Sequence, residues 1–109
     1  MVHRTELSRE AVELEVFGDI TEATVGEFRT AMYAELDGPH RRVALNLQKV
    51  RNLNSASIGA ILLFEKRARE LGKEIVISAC SDELAKTLIA IRLDRLITFE
   101  SRIPPNAAK

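Results

Sequence analysis

From Val12 to Phe17 apolar and acidic residues alternate. Val12, Leu14 and Val16 are separated by Glu13 and Glu15. A period of two puts the three apolar side chains on one face of a strand and the carboxylates on the other. Residues 5–7 predict a short partner strand ahead of it, with Ser8-Arg9-Glu10 as the turn. Gly18-Asp19 breaks the strand, and Thr21 or Thr24 caps a helix running to about Leu36. Within it Val25, Phe28, Met32 and Leu36 step by three and four, which makes one core-facing stripe. Asp37-Gly38-Pro39 stops the helix. The period of two returns at Val43, Leu45 and Leu47, followed by a polar loop over residues 48–54.

A second helix starts near Ser55 and ends at Gly72, a C-terminal cap. Its first half is apolar and its second half charged, so its start is expected to be buried and its end in solvent. Glu74-Ile75-Val76-Ile77-Ser78 carries three consecutive apolar residues, as an interior strand covered on both faces does. Ser81 or Asp82 caps a third helix through about Ile91, and residues 96–99 form a last short strand. The domain is expected over residues 1–101, with a flexible C-terminal tail over residues 102–109. The order β-(β)-α-β-α-β-α-β predicts an α/β fold with a mixed sheet and right-handed crossovers.

Composition narrows the function. A chain of 109 residues with 46% hydrophobic and 29% charged residues is one globular domain. Sixteen cationic side chains balance sixteen anionic ones, so no bulk field draws the protein to nucleic acid or to an anionic membrane. The one cysteine, Cys80, excludes an internal disulfide and a cysteine-built zinc site. It reads as a small apolar filler behind a buried strand. The N-terminus has no apolar run of the signal-peptide kind. The longest apolar stretch, residues 58–64, falls far short of the roughly 18 residues of a membrane span. A soluble, cytoplasmic protein without membrane insertion is the expectation.

Enzymatic constellations are missing from the sequence. It has no Gly-rich phosphate loop, dinucleotide fingerprint or serine elbow, and neither His3 nor His40 lies at a metal-ligand spacing. No cofactor or metal is expected, and the chain reads as a non-enzyme. His40 reads as a solvated turn residue, and Glu13, Glu15, Glu65 and Glu70 as exposed charges. Tyr33 and Met32 sit at core spacing on the first helix. One segment stands apart: Asn54-Ser55-Ala56-Ser57-Ile58-Gly59. Ser55 falls at or next to the N-cap of a helix, with Ser57 in the first turn. Capping explains such residues. So does a phosphorylation site, because free N–H groups and the helix dipole favour negative charge there. A mid-helix glycine is costly, so Gly59 is expected to make a close packing contact.

The run Val43-Ala44-Leu45-Asn46-Leu47, a short loop, and then residues 53–62 resembles the STAS domain family (sulphate transporter and anti-sigma factor antagonist). The family pattern there is a hydrophobic strand, a polar loop, D-S-S-G-L-G and an apolar helix. Gly18-Asp19-Ile20 with Thr24 and Phe28 is similar to the family's G-E-L-D…T…L. Gly72-Lys73-Glu74-Ile75-Val76-Ile77 resembles its G-G-x strand. The segment from Leu84 to Leu96 resembles its last motif, with Arg92 where a glycine often stands.

The resemblance covers residues 10–100 and implies a single STAS-like domain with four or five strands and three or four helices. It further implies partner switching of the anti-sigma factor antagonist type, a bacterial form of signal transduction and transcription regulation. The unphosphorylated protein binds an anti-sigma factor that is also a serine kinase of the histidine-kinase-like ATPase type. Phosphorylation ends the binding, and a PP2C-type serine phosphatase restores it. The acceptor serine falls on Ser55, with Ser57 as a second hydroxyl. The partner-binding segment falls on Asn54, Ser55, Ala56, Ser57, Ile58 and Gly59. Asn54 stands where the family carries an acidic residue, and Ser57 where it carries a glycine. The family also contains scaffold and transport-complex subunits, including those of membrane lipid transporters, and Asn54 suits a non-phosphorylated member of that kind. Neither reading has this chain contact nucleic acid directly.

Overall fold

The computed structural model describes residues 1–100. Five strands form one sheet: β1 (Val2–Glu6), β2 (Ala11–Phe17), β3 (Arg42–Lys49), β4 (Glu74–Cys80) and β5 (Thr98–Phe99). Their spatial order follows the chain. β1 pairs antiparallel with β2, and every later pair is parallel. The crossovers are α1 (Val25–Leu36), α2 (Ser55–Glu70) and α3 (Asp82–Ala90), with a short 3₁₀ turn, Leu93–Arg95, before β5. The expected mixed α/β sheet and element order are therefore present. The expected domain end at residue 101 and the tail over 102–109 lie outside the described residues.

All three parallel crossovers step in the same direction, so right-handed connections place α1, α2 and α3 on one face of the sheet. The core agrees. Val12, Leu14 and Val16 of β2, Val43, Leu45 and Leu47 of β3, and Ile75 and Ile77 of β4 form one cluster. Phe28, Met32, Ile61, Phe64, Leu84 and Leu88 from the helices complete it. The opposite face is polar. Ser78 Oγ donates to Glu13 Oε2 at 3.2 Å, Lys49 pairs with Glu15 at 3.4 Å, and the Lys49 ammonium lies 4.6 Å from the Phe17 ring centroid. These ties leave Glu13 and Glu15 half-buried, where free exposure was expected. Val76 and Ala44 are buried on this face without a helix over them. Arg42, which pairs with Glu74 and Glu100, reaches from β3 across β4 on the same side.

Several expectations are corrected. The partner strand lies earlier than residues 5–7. Leu7 sits exposed in the turn, where Ser8 Oγ accepts the N–H groups of Glu10 and Ala11 at 3.1 Å. Its period was hidden because Arg4 and Glu6 occupy the helix-facing positions opposite Leu14 and Val12. Arg4 Nε donates to the buried Glu35 carboxylate of α1 at 2.7 Å. Glu6 Oε2 stands 3.6 Å from Nε2 of His40.

His40 is buried, not solvated, and neither ring nitrogen has a hydrogen-bond partner. The cause is Lys73, whose ammonium donates to the carbonyls of Gly38 at 2.7 Å and His40 at 2.6 Å and fastens the turn to the domain. Glu65 is likewise buried. The inward stripe of α2 runs its whole length through Ser57, Ala60, Ile61, Phe64, Glu65 and Ala68, and Arg69 pairs with the carboxylate at 3.4 Å. α2 is thus amphipathic throughout, and its start is not more buried than its end.

Arg92 follows α3 with φ +66°. Only glycine adopts that left-handed region at no steric cost, which explains why the resembling motif carries glycine there.

Candidate functional site at the start of the second helix

The site is built by the loop leaving β3. Val50 N–H closes a turn onto Leu47 at 3.0 Å, and Leu53 pairs with Ile20 in an isolated parallel bridge. Asp19 does the fastening. Its Oδ1 accepts the backbone N–H of Arg51 at 3.0 Å and of Asn52 at 3.2 Å. Those two donors hold the Asp19 carboxyl below its ordinary range, since they favour the charged form. Gly18, at φ +86°, makes the turn that aims Asp19 across the gap. In the sequence Gly18-Asp19 reads as a strand break and as part of the resemblance to the family's G-E-L-D motif, without a role for the carboxylate; an acidic residue just past a strand-ending glycine is the available signal for this tether.

Asn54 is the N-cap of α2. Its Oδ1 accepts the N–H of Ser57 at 2.8 Å, and Ser57 Oγ donates back to the Asn54 carbonyl at 2.8 Å. The first bond is an ordinary side-chain N-cap; the second differs from a capping box, because the Ser57 hydroxyl donates to the Asn54 carbonyl and does not accept the Asn54 N–H. The two bonds separate the two candidate hydroxyls. Ser57 is 0% exposed and its hydroxyl is committed to the turn. Ser55, the first helical residue, is exposed, and among the described residues its hydroxyl has no hydrogen-bond partner. Ser55 and Ala56 also occupy first-turn positions whose N–H groups have no acceptor within a helix.

Of the six segment residues, Ser55, Ala56 and Gly59 share the open surface, Asn54 and Ile58 are half-buried, and Ser57 is inside. Leu62 (37% exposed) and Leu63 (43%) continue the open surface along the helix. The close packing contact expected of Gly59 is absent: a Cβ there meets nothing within 4 Å. Ser57, Ala60 and Ile61 take the inward positions, which turns Gly59 outward.

The start of α3 lies at the same end of the sheet. Ser81, not Asp82, caps it, its Oγ accepting Leu84 N–H at 3.1 Å. Between the two helix starts is an open cleft of ≈ 580 Å³ lined by Arg51, Asn52, Ser81 and Glu83. Cys80 packs partly buried against the core. Among the described residues no group of three His, Cys, Asp or Glu side chains is placed to hold a metal ion, and no helix is long and apolar enough to cross a membrane.

The exposed features at this end of the domain are a helix start and a partly apolar outer helix face. The chain belongs to the STAS domain family: the family model described as "Mlab, STAS domain" matches residues 3–98. Solved structures share the fold. One is an anti-sigma factor antagonist from Thermotoga maritima, described in its report as putative, at TM-score 0.83 and 18% identity, covering 94% of this chain and 87% of that one. The phosphorylated form of the Bacillus cell-fate determinant SpoIIAA matches at TM-score 0.71 and 14% identity, covering 94% and 93%. The STAS domain of a SulP transporter from Vibrio cholerae matches at TM-score 0.64 and 17% identity, covering 85% and 71%. No curated protein sequence matches significantly.

Proposed function

We propose that this STAS domain is a partner-switching protein of the anti-sigma factor antagonist type, with Ser55 as the reversible phosphoacceptor. The unmodified protein binds an anti-sigma factor that is also its serine kinase, and a metal-dependent serine phosphatase of the PP2C type resets it. The observation that carries this reading is the exposed Ser55 hydroxyl, unbonded, on the first turn of a helix whose outer face runs on through Gly59, Leu62 and Leu63. The fold shared with an antagonist known in a phosphorylated form supports it.

The neutral hydroxyl sits in an interface at little cost. A phosphate adds about −1.5 to −2 charge and must be desolvated or repel the partner. A penalty of about 2.8 kcal/mol weakens binding a hundredfold. Within the domain the same phosphate is tolerated, because it lies at a helix N-terminus.

The test pairs a mass measurement with binding. Incubated with its cognate anti-sigma factor kinase and ATP, the protein gains about 80 Da, and Ser55→Ala does not. Ser55→Ala keeps partner binding, while Ser55→Asp loses it. Equal binding of both variants refutes the switch.

A second reading is favoured by Asn54, which leaves no carboxylate beside the acceptor, and by the Mlab description of the matching family model. It makes the protein a non-phosphorylated binding subunit of a larger complex, such as a membrane lipid transporter. No mass gain with a kinase active on a control substrate selects this reading.

A further inference from the structure

A second surface lies at the other end of the molecule from Ser55. α2 and α3 both start where the parallel strands end, so the end of α3 and the turn after it lie where the strands begin. There Ile89, Ile91 and Leu96 are each about half exposed, at 51%, 48% and 49%. Most exposed apolar side chains are scattered singly and need no explanation. These three fall within eight residues, on one knuckle held by the N–H of Arg92 on the Ile89 carbonyl at 2.9 Å and of Leu96 on Leu93 at 3.0 Å. Leu93 itself is buried and anchors the knuckle to the core.

The polar residues around it are one-sided. Lys86, Arg92 and Arg95 stand against a single carboxylate, Asp94, over residues 86–96. All four are exposed. Among the described residues none of the three cations has an ion-pair or side-chain hydrogen-bond partner, a state they share with Arg9, Arg29, Arg41, Arg51, Lys66 and Arg67, so it is their clustering around apolar side chains that sets them apart. Arg92 is the one described non-glycine residue at positive φ. An arginine held in the left-handed region where glycine fits best, beside a cluster of exposed aliphatic side chains, points to a use for that side chain outside the domain.

We infer that the knuckle of Ile89, Ile91, Arg92, Arg95 and Leu96 is a second docking surface, for an acidic segment of a partner protein that presents carboxylates around an apolar side chain. Charge complementarity selects the occupant. Two guanidiniums three residues apart offer planar, bidentate donors that match carboxylates. An apolar centre with an arginine rim is also the composition of protein-binding hot spots. Three aliphatic side chains form a smaller apolar face than a helix lying in a bilayer interface presents, which places a membrane second.

The surface is separate from Ser55 and does not depend on the switch. The test uses the full chain, isotopically labelled, with two synthetic helical peptides. Both carry the same leucine positions; one has glutamate flanks and the other lysine flanks. The glutamate peptide is expected to shift amide resonances of residues 86–96 and to bind about tenfold tighter than the lysine peptide, with affinity falling as salt rises. Arg92→Gly and Arg95→Gln each weaken it by about fivefold. Ser55→Asp leaves it unchanged. Equal binding of the two peptides, shifts confined to other residues, or full affinity in an Arg92→Gly protein that is folded overturns the inference. Phosphatidylserine vesicles shifting these resonances while the glutamate peptide does not would also overturn it and assign the knuckle to a membrane.

Discussion

The most direct test of the site's architecture is the N-cap of α2. Asn54→Ala removes the Oδ1 that accepts Ser57 N–H at 2.8 Å. Loss of an N-cap side chain costs about 0.5–2 kcal/mol, with the low end set by hosts in which water replaces the cap. Water has poor access here, because Ser57 is fully buried and its N–H points into the cap. The deprived donor therefore bears much of its desolvation cost, and the expected loss is about 1.5–2 kcal/mol. The unfolding entropy of a chain of this length converts that to a fall in Tm of about 6–9 °C.

Asn54→Asp keeps the acceptor and adds a charge at the positive end of the helix dipole. It is expected to gain about 0.3–1 kcal/mol, or about 1–4 °C. Circular dichroism melts with matching urea titrations measure both variants, and an unchanged m-value shows that stability has changed without a change in the surface exposed on unfolding. A fall below about 2 °C for Asn54→Ala refutes the reasoning. It would mean that Asp19 and the Ile20–Leu53 bridge hold the helix start without the cap.

The remaining expectations concern the tether and the left-handed residue. Asp19, whose carboxyl is held below its ordinary range by two backbone donors, contributes stability that is present above the unfolded value near about 3.9 and is lost as pH falls through its lower folded value. The amide shifts of Arg51 and Asn52, followed by NMR against pH, should therefore titrate with a midpoint below about 3.9, and a midpoint above it refutes the tether. Arg92→Gly relieves a left-handed non-glycine residue but adds freedom to the unfolded chain, for a net gain of about 0.5–1 kcal/mol and a Tm higher by about 2–4 °C. A lower Tm for that variant would show that the arginine side chain holds the knuckle from within.

What could be read from the sequence follows from which residues carry a repeating signal. β2, β3 and α1 announce themselves because their buried faces are apolar at regular spacing. β1 does not, since Arg4 and Glu6 stand where its apolar positions belong and find their partners more than thirty residues away, at Glu35 and His40. The same long-range polar contacts hid the burial of His40, because nothing near Lys73 in the chain shows that its ammonium reaches the carbonyls of Gly38 and His40. In α2 the clustering of apolar residues in the first half masked the helical stripe. Leu62 and Leu63 supplied hydrophobicity to the outer face, while Glu65 and Ala68 carried the inner stripe into the charged half. The serine segment was readable as a motif, but the motif ranks two hydroxyls that only geometry separates, one at the surface and one inside.

That separation bears on how a switch at Ser55 would act. The Ser55 hydroxyl holds no bond in the domain, so modifying it breaks none, and the cap beneath it stays closed through Asn54 and Ser57. The ties around it (the Asp19 carboxylate to the N–H groups of Arg51 and Asn52, Ile20 to Leu53) do not use the Ser55 hydroxyl, so its modification removes none of their partners. The domain should therefore have nearly the same shape in both states. The free-energy difference between them must arise at the interface, from desolvating a doubly charged group against the apolar face of Ala56, Gly59, Leu62 and Leu63. A switch that relied on refolding would need a second packing of the core, and the single cluster joining all three helices to β2, β3 and β4 leaves no loosely held element to provide one. Salt distinguishes the two mechanisms. An electrostatic block at the surface weakens as ionic strength rises, so the binding defect of Ser55→Asp should shrink in high salt while its melting temperature stays within about 2 °C of the parent. A defect that is insensitive to salt and accompanied by a large fall in Tm would place the switch in the fold.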